Sequence, residues 1–295
     1  MRFVNPIYVV DAFTSEAFRG NPAGVCLLDG PVPSEWMLNV AAEMKHAETA
    51  FLWSLGDKWS LKWFTPAVEI ALCGHATIAA TQALHEHGLG AEVLRYETQS
   101  GELTARQVAG GIQLDFPALS TAPSDLPDGV AAALGVIPTF VGKTRHDYLI
   151  EVATVDEVKG IVPDHTVLAK LPVRGVIVTA AGSSPYDITS RFFAPGVGVP
   201  EDPVTGSAHC ALTPYWCEKL GKTSLRAYQA SERGGELELE LVTRNDGLID
   251  SGVRPPSPRQ AGVLPPVQEG ERPAQGDRVL LTGQAVTVLK GSLLV

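Results

Sequence analysis

The sequence predicts a mixed α/β protein made of two related halves, and three observations carry that reading. The first is an internal repeat: "WFTP" at 63–66 reappears as "FFAP" at 192–195, an offset of 129, while Gly74 and Gly206 lie 132 apart, as do Tyr96 and Tyr228. Around these anchors "CGHAT" matches "TGSAH", and "YETQSGEL" matches "YQASERGGEL". The second is a series of short runs rich in β-branched and aromatic residues, punctuated by Gly, Pro and Asn, which read as strands. The third is a run of small or apolar residues after each anchor glycine, the mark of a helix buried on every side. A match at half the chain length signals duplicated domains, unlike the roughly 20–50 residue period of a solenoid. The expected architecture is two pseudo-symmetric domains, each a curled mixed β-sheet wrapped around a central helix. The expected division is 1–118 and 119–295.

In chain order, "PIYVVDAFT", "AGVCLLD", "TAFLWSL", "LKWFTP", "VLRYETQ" and "IQLDF" are predicted strands. "SEWMLNVAAEMKH" is predicted as a helix with Ser34 as N-cap after Pro33 and an apolar face at Trp36, Val40 and Met44. The helix opened by Gly74, "HATIAATQAL", ends at Gly88 after 14 residues, and its counterpart "SAHCALTPYWCEKL" ends at Gly221 after 15. Pro214 in the second is expected to kink it or to remove one backbone hydrogen bond. The segment at about 246–276 is dense in Pro, Gly and charge and is expected to be an extended surface loop. The closing "VLLTGQAVTVLKGSLLV" reads as two strands around a Gly turn.

Composition excludes several classes of function. A chain of 295 residues with 45% hydrophobic content can bury two cores. A net charge of -10 without a basic run argues against nucleic acid, whose phosphates need clustered Lys and Arg. No stretch approaches the roughly 18 apolar residues of a membrane span, and the start "MRFVNPIYVV" lacks signal-peptide order. The cytoplasm is the expected compartment. Cys26, Cys73, Cys210 and Cys217 show no CxxC spacing, so neither a zinc ribbon nor a disulfide framework is indicated.

The chemistry concentrates where each buried helix begins. The first N–H groups of a helix lack intrahelical acceptors and sit at the positive end of its dipole, so they suit an anion. Glycine allows close approach there. If the starts at Gly74 and Gly206 point at one cleft, their amides hold a carboxylate or stabilise a developing enolate. His75 and Ser207 then face the reacting carbon, with Cys73 and Thr205 just before each glycine. The plainer alternative is that Gly-small-small opens a tightly packed helix and nothing more. Plainer roles exist too for Glu48 as an edge charge, Asp202 as a turn residue before Pro203, and Ser207 as a cap.

The blocks "DAFTSEAFRGNPAGVC", "AETAF", "WFTPAVEIALCGHAT", "RFFAPGVGVPEDPVTGSAHCALTPYW" and "QASERGGEL" resemble the signature blocks of the phenazine biosynthesis PhzF-like isomerase family, over nearly the whole chain. The resemblance implies a diaminopimelate epimerase-like fold with the active site between two halves, which agrees with the repeat. It implies Glu48 as the general acid/base, with His75, Asp202 and Ser207 as the other polar catalytic positions. Gly74 and Gly206 would supply backbone donors to substrate, beside Cys73 and Thr205. It further implies a small carboxylate-bearing substrate, no cofactor or metal, and a homodimer. Dihydro-hydroxyanthranilate is the family's namesake substrate.

Two other readings stand beside this one. Racemases and epimerases of the same fold use a cysteine at each helix start; here Cys73 is matched by Thr205, a far weaker base. A binding protein that keeps the fold without catalysis would have little reason to retain Glu48, His75, Asp202 and Ser207 together. His85 and His87 in "HEHG" suggest a metal only superficially, since no third ligand is apparent and cations suit a helix end.

Overall fold

The computed structural model describes residues 5–243 and 276–295. Its strands are β1 (Asn5–Ala12), β2 (Asn21–Leu27), β3 (Glu48–Ser54), β4 (Trp59–Phe64), β5 (Glu69–Ile70), β6 (Val93–Thr98), β7 (Gly101–Val108) and β8 (Gly111–Pro117). There follow β9 (Ala122–Pro123), β10 (Phe140–Lys143), β11 (Asp147–Glu151), β12 (Gly175–Ala181), β13 (Ile188–Phe193), β14 (Ser224–Gln229), β15 (Gly235–Val242), β16 (Arg278–Gly283) and β17 (Ala285–Leu293). The helices are α1 (Ser34–Met44), α2 (Gly74–Glu86), α3 (Val130–Leu134), α4 (Val155–Gly160), α5 (His165–Leu168) and α6 (Gly206–Leu220).

Strand pairing displays the duplication. One run proceeds β17-β1-β2-β3-β4-β6-β7-β8, with β5 as a short flap on β4. The other proceeds β9-β10-β11-β12-β13-β14-β15-β16. The two join edge to edge through the antiparallel pair β8–β16. Each run has its parallel steps at the same places, β2–β3 with β4–β6 in one and β11–β12 with β13–β14 in the other. Wrapping gives each central helix a sheet to bury against: α2 packs on β1, β2, β3, β8 and β17, and α6 on β14, β15 and β16. The expected boundary at 118/119 is crossed by the last strand, since β17 pairs with β1.

The buried helices form as their sequences dictate. Residues 75–81, together with Ala83 and Leu84, are buried in α2, and α6 buries Ala208, Cys210, Ala211, Leu212 and Trp216 in the same core. Polar side chains inside them bond back to their own helix: Thr77 and Thr81 hydroxyls donate to the carbonyls of Cys73 and Thr77 at 2.6 and 2.8 Å. Thr213 repeats the pattern on His209 at 2.6 Å. This satisfies hydroxyls that would otherwise be costly to bury. Pro214 does not break α6, which runs continuously across it. The carbonyl of Cys210, which a residue with an N–H at 214 would engage, instead accepts from the Leu119 backbone at 2.9 Å.

Helix α1 departs from expectation. Ser34 is its first helical residue, Pro33 takes the N-cap position, and no side chain caps the end. The buried face is Met37, Val40 and Ala41, while Trp36 and Met44 pack partly buried beside it. Proline's fixed φ suits the helix entry, so the serine is displaced one position inward. Of the Pro- and Gly-rich segment expected at 246–276, all but residue 276 lies outside the described residues.

Candidate active site

The two helix starts meet head to head. A methyl carbon placed on Gly74 would lie 3.9 Å from the Cα of Gly206, and the reverse holds at the same distance. Neither N-cap residue, Cys73 or Thr205, caps its helix through its side chain. Two dipole ends that face each other repel, so the gap between them is an electropositive site that a negative charge relieves.

On the α2 side, β3 delivers Glu48 and the first turn delivers His75. Glu48 is the first residue of β3, fixed by parallel pairing with Ala23. His75 Nε2 lies 3.2 Å from Glu48 Oε2, close enough for an ion pair but without hydrogen-bond alignment, so this buried nitrogen has no hydrogen-bond partner among the described residues. On the other face of the ring, Nδ1 sits 3.5 Å from the Cys73 sulfur. The side chains of His75 and Glu48 are only 7% and 15% exposed, so the site is nearly shut. Burial disfavours charge on His75, but Cys73 and Glu48 favour it and the net proton affinity stands well above the ordinary value. Burial also raises the Cys73 thiol. Cys73 and Glu48 thus flank the ring as the two groups that favour an imidazolium, against its burial.

Glu48, Cys73 and His75 place ligand-capable atoms within 4.8 Å of one another. The carboxylate oxygen lies 3.2 Å from one ring nitrogen and the sulfur 3.5 Å from the other. The arrangement is a chain of polar contacts. His87 is occupied elsewhere, its Nδ1 2.7 Å from the Tyr8 hydroxyl.

On the α6 side, Asp202 is held by a buried network. Asn21 Nδ2 donates to Asp202 Oδ1 at 2.7 Å and to the Val204 carbonyl at 2.9 Å. The Thr205 hydroxyl donates to Asp202 Oδ2 at 2.6 Å. Gln229 locks the turn, accepting from the Thr205 amide at 2.9 Å and donating to the Asp202 carbonyl at 2.6 Å. Burial raises the proton affinity of Asp202, with His75 opposing that shift and Glu48 adding to it. Ser207 opens the first turn of α6, and its Oγ accepts from Arg174 Nη1 at 2.9 Å.

The residues expected from sequence therefore converge: Glu48, His75 and Cys73 on one helix start, Asp202, Thr205 and Ser207 on the other. The structure adds Asn21, Gln229 and Arg174. Asn21 and Gln229 stand inside the blocks "RGNPAG" and "QASERGGEL" and were accessible to motif reading. Arg174 had no local signal. A groove of about 600 Å³ opens elsewhere, lined by Arg226, Tyr228, Arg233 and Glu236 among others, and includes none of the expected catalytic residues. Size alone does not locate the chemistry. Buried ionisable groups that converge on unpartnered amides are the stronger sign.

Residues 10–251 match the family described as phenazine biosynthesis-like protein, PhzC-PhzF. The chain is 45% identical over 298 residues to an uncharacterized isomerase of Halalkalibacterium halodurans, covering 98% of each. A phenazine biosynthesis protein of the PhzF family from Enterococcus faecalis superposes with a TM-score of 0.84 at 36% identity, covering 99% of this chain and 100% of that one. A hydroxyproline epimerase of Agrobacterium vitis, solved with bound trans-4-hydroxy-L-proline, shares the fold at a TM-score of 0.62 and 12% identity, covering 100% of this chain and 94% of that one. Among the described residues no helix is long and apolar enough to cross a membrane.

Proposed function

The chain belongs to the phenazine biosynthesis-like family, and on that premise we propose that it is an isomerase which moves a proton within a small carboxylate-bearing substrate, with Glu48 as general acid/base. The observation that carries the reading is the pair of Glu48 Oε2 and His75 Nε2, 3.2 Å apart beside two opposed helix starts. Glu48 takes the proton from one carbon as that C–H bond breaks. The electron pair shifts into the substrate's π-system, and the same carboxyl returns the proton as a C–H bond forms at another carbon. Atoms and charge balance without an external oxidant or reductant. Negative charge that develops on the substrate is met by His75, by the amides at Gly74 and Gly206, and by Ser207. Asp202, fixed by Asn21 and Thr205, shapes the wall opposite Glu48.

General acid/base action supplies about 10²- to 10⁴-fold, so positioning and charge stabilisation carry the rest. A two-base racemase mechanism is less well supported, because the Thr205 hydroxyl that matches Cys73 is committed as a donor to Asp202. The reading extends to action without metal or organic cofactor, in the cytoplasm, as a homodimer.

The test is proton exchange followed by NMR in deuterated water, with a panel of small unsaturated carboxylates that includes dihydro-hydroxyanthranilate. Wild type should wash deuterium into one carbon position of an accepted compound. Glu48→Gln, which keeps the shape and removes the base, should slow exchange by about 10²-fold or more. Equal exchange by both proteins sinks the assignment.

A further inference from the structure

Arg174 lies at the entry to β12 in the second half, beside the start of α6. His75 and Ser207 each follow an anchor glycine, at the first turns of α2 and α6. Glu48 opens β3, and Arg174 immediately precedes Gly175, the first residue of β12. These are matched strands, each parallel to the strand before it, with Glu48 opposite Ala23 and Gly175 opposite Asp147. The position that matches Glu48 is therefore Gly175, and the cation stands one residue before it.

The contacts of Arg174 define what the α6 side of the gap can bind. Its Nε donates to Asp147 Oδ1 at 2.9 Å and its Nη2 to Asp147 Oδ2, so one edge of the guanidinium is clamped by a carboxylate whose side chain is 1% exposed. Its Nη1 donates to Ser207 Oγ at 2.9 Å. Arginine has donors only, so Ser207 is the acceptor in that bond and keeps its own hydroxyl hydrogen to give away. Among the described residues nothing takes it. Arg174 is itself 35% exposed in its side chain, and each Nη retains a further N–H beyond those engaged. The α6 side of the gap is therefore built from donors: the Ser207 hydroxyl, the outer edge of Arg174 and the helix-start amides. A planar anion with two acceptor oxygens matches that set, because a guanidinium edge pairs with a carboxylate through parallel hydrogen bonds.

We infer that Arg174 is the receptor for the substrate's carboxylate and that, by donating to Ser207, it fixes that hydroxyl as a second donor to the same group. This deepens the isomerase reading and rests on it for the reaction that follows binding. The substrate then lies across the gap, with its carboxylate on the α6 wall and its reacting C–H bond toward Glu48 and His75. Asp147 is a positioning residue, since it holds the guanidinium edge without reaching the ligand.

The experiment measures binding of benzoate and benzamide, a pair alike in shape and different in charge, by calorimetry on the full chain. Wild type should prefer benzoate by about tenfold or more. Arg174→Gln alone leaves Asp147 buried and unpaired and can unfold the chain, so the Asp147→Asn/Arg174→Gln double variant is measured beside it. The double variant should fold, by circular dichroism, and show no preference. Arg174→Lys should keep part of it, since a point charge replaces the fork. Preference for benzoate that survives in the folded double variant, or its absence from wild type, overturns the inference. Glu48→Gln separates the two readings, because it should retain benzoate preference while losing proton exchange. Arg174-dependent preference in a protein that exchanges no proton would leave the carboxylate receptor standing and remove the isomerase.

Discussion

Gly74 and Gly206 face each other so closely that a methyl carbon on either would stand 3.9 Å from the other's Cα. That distance is ordinary van der Waals contact, so the chain tolerates the methyl while the gap between the helix starts does not stay open.

Gly74→Ala should accordingly fold with stability within about 1 kcal/mol of wild type, since alanine also favours the helix. Its new methyl would meet Phe116 at 3.8 Å and narrow the space in which an anion approaches the amides. Denaturation with urea and the exchange assay on the same preparation check both halves of this expectation. Full exchange in a folded Gly74→Ala protein would move the reacting group away from the gap.

Stability should depend on pH through His75. Its folded-state proton affinity is raised above the ordinary 6.5, burial opposing the charge while Cys73 and then Glu48 favour it. A raised value means stabilisation that is fully present below about 6.5 and is lost as pH climbs through the folded-state value. The excess stability of wild type over His75→Gln, taken from urea midpoints, should be largest near about pH 5.5 and shrink toward alkaline pH. A difference that grew with pH would contradict the ion pair.

Cys73 should be dispensable. Its thiol is buried and its proton affinity raised by that burial, so little thiolate forms at neutral pH. Cys73→Ala is expected to retain exchange within about tenfold of wild type. A loss beyond roughly 10³-fold, about 4 kcal/mol of barrier, would restore the thiol to the mechanism.

The two helix caps predict opposite sensitivities. Ser34 makes no cap bond, so Ser34→Ala should cost under about 0.5 kcal/mol. Thr154 does cap α4, accepting from the Glu157 amide at 3.1 Å while the Glu157 carboxylate accepts from the Thr154 amide at 2.9 Å. Thr154→Ala should cost about 0.5–2 kcal/mol. Chemical denaturation of the two variants side by side decides it.

Much of this molecule was legible in one dimension. The repeat announced two matched runs of sheet, because the anchors at "WFTP" and "FFAP" fall at the matched strands β4 and β13 and the paired glycines open α2 and α6. The uniformly small and apolar helices announced their burial, because a helix with no polar face has no side to turn to water. The family blocks brought Glu48, His75, Asp202 and Ser207 forward as one group.

The tertiary structure alone decided who touches whom across long separations. Arg174 reaches Ser207 over 33 residues and Asn21 reaches Asp202 over 181, and no local period encodes either contact. The last strand, β17, closes against β1 at the far end of the chain. Local preference did mislead at Ser34, where Pro33 before it took the cap position. Sequence fixes what each residue can offer, a proton, a donor edge or an apolar face. Which offers meet depends on how strands far apart in the chain are brought side by side, and that is set by the burial of the whole sheet around its helices.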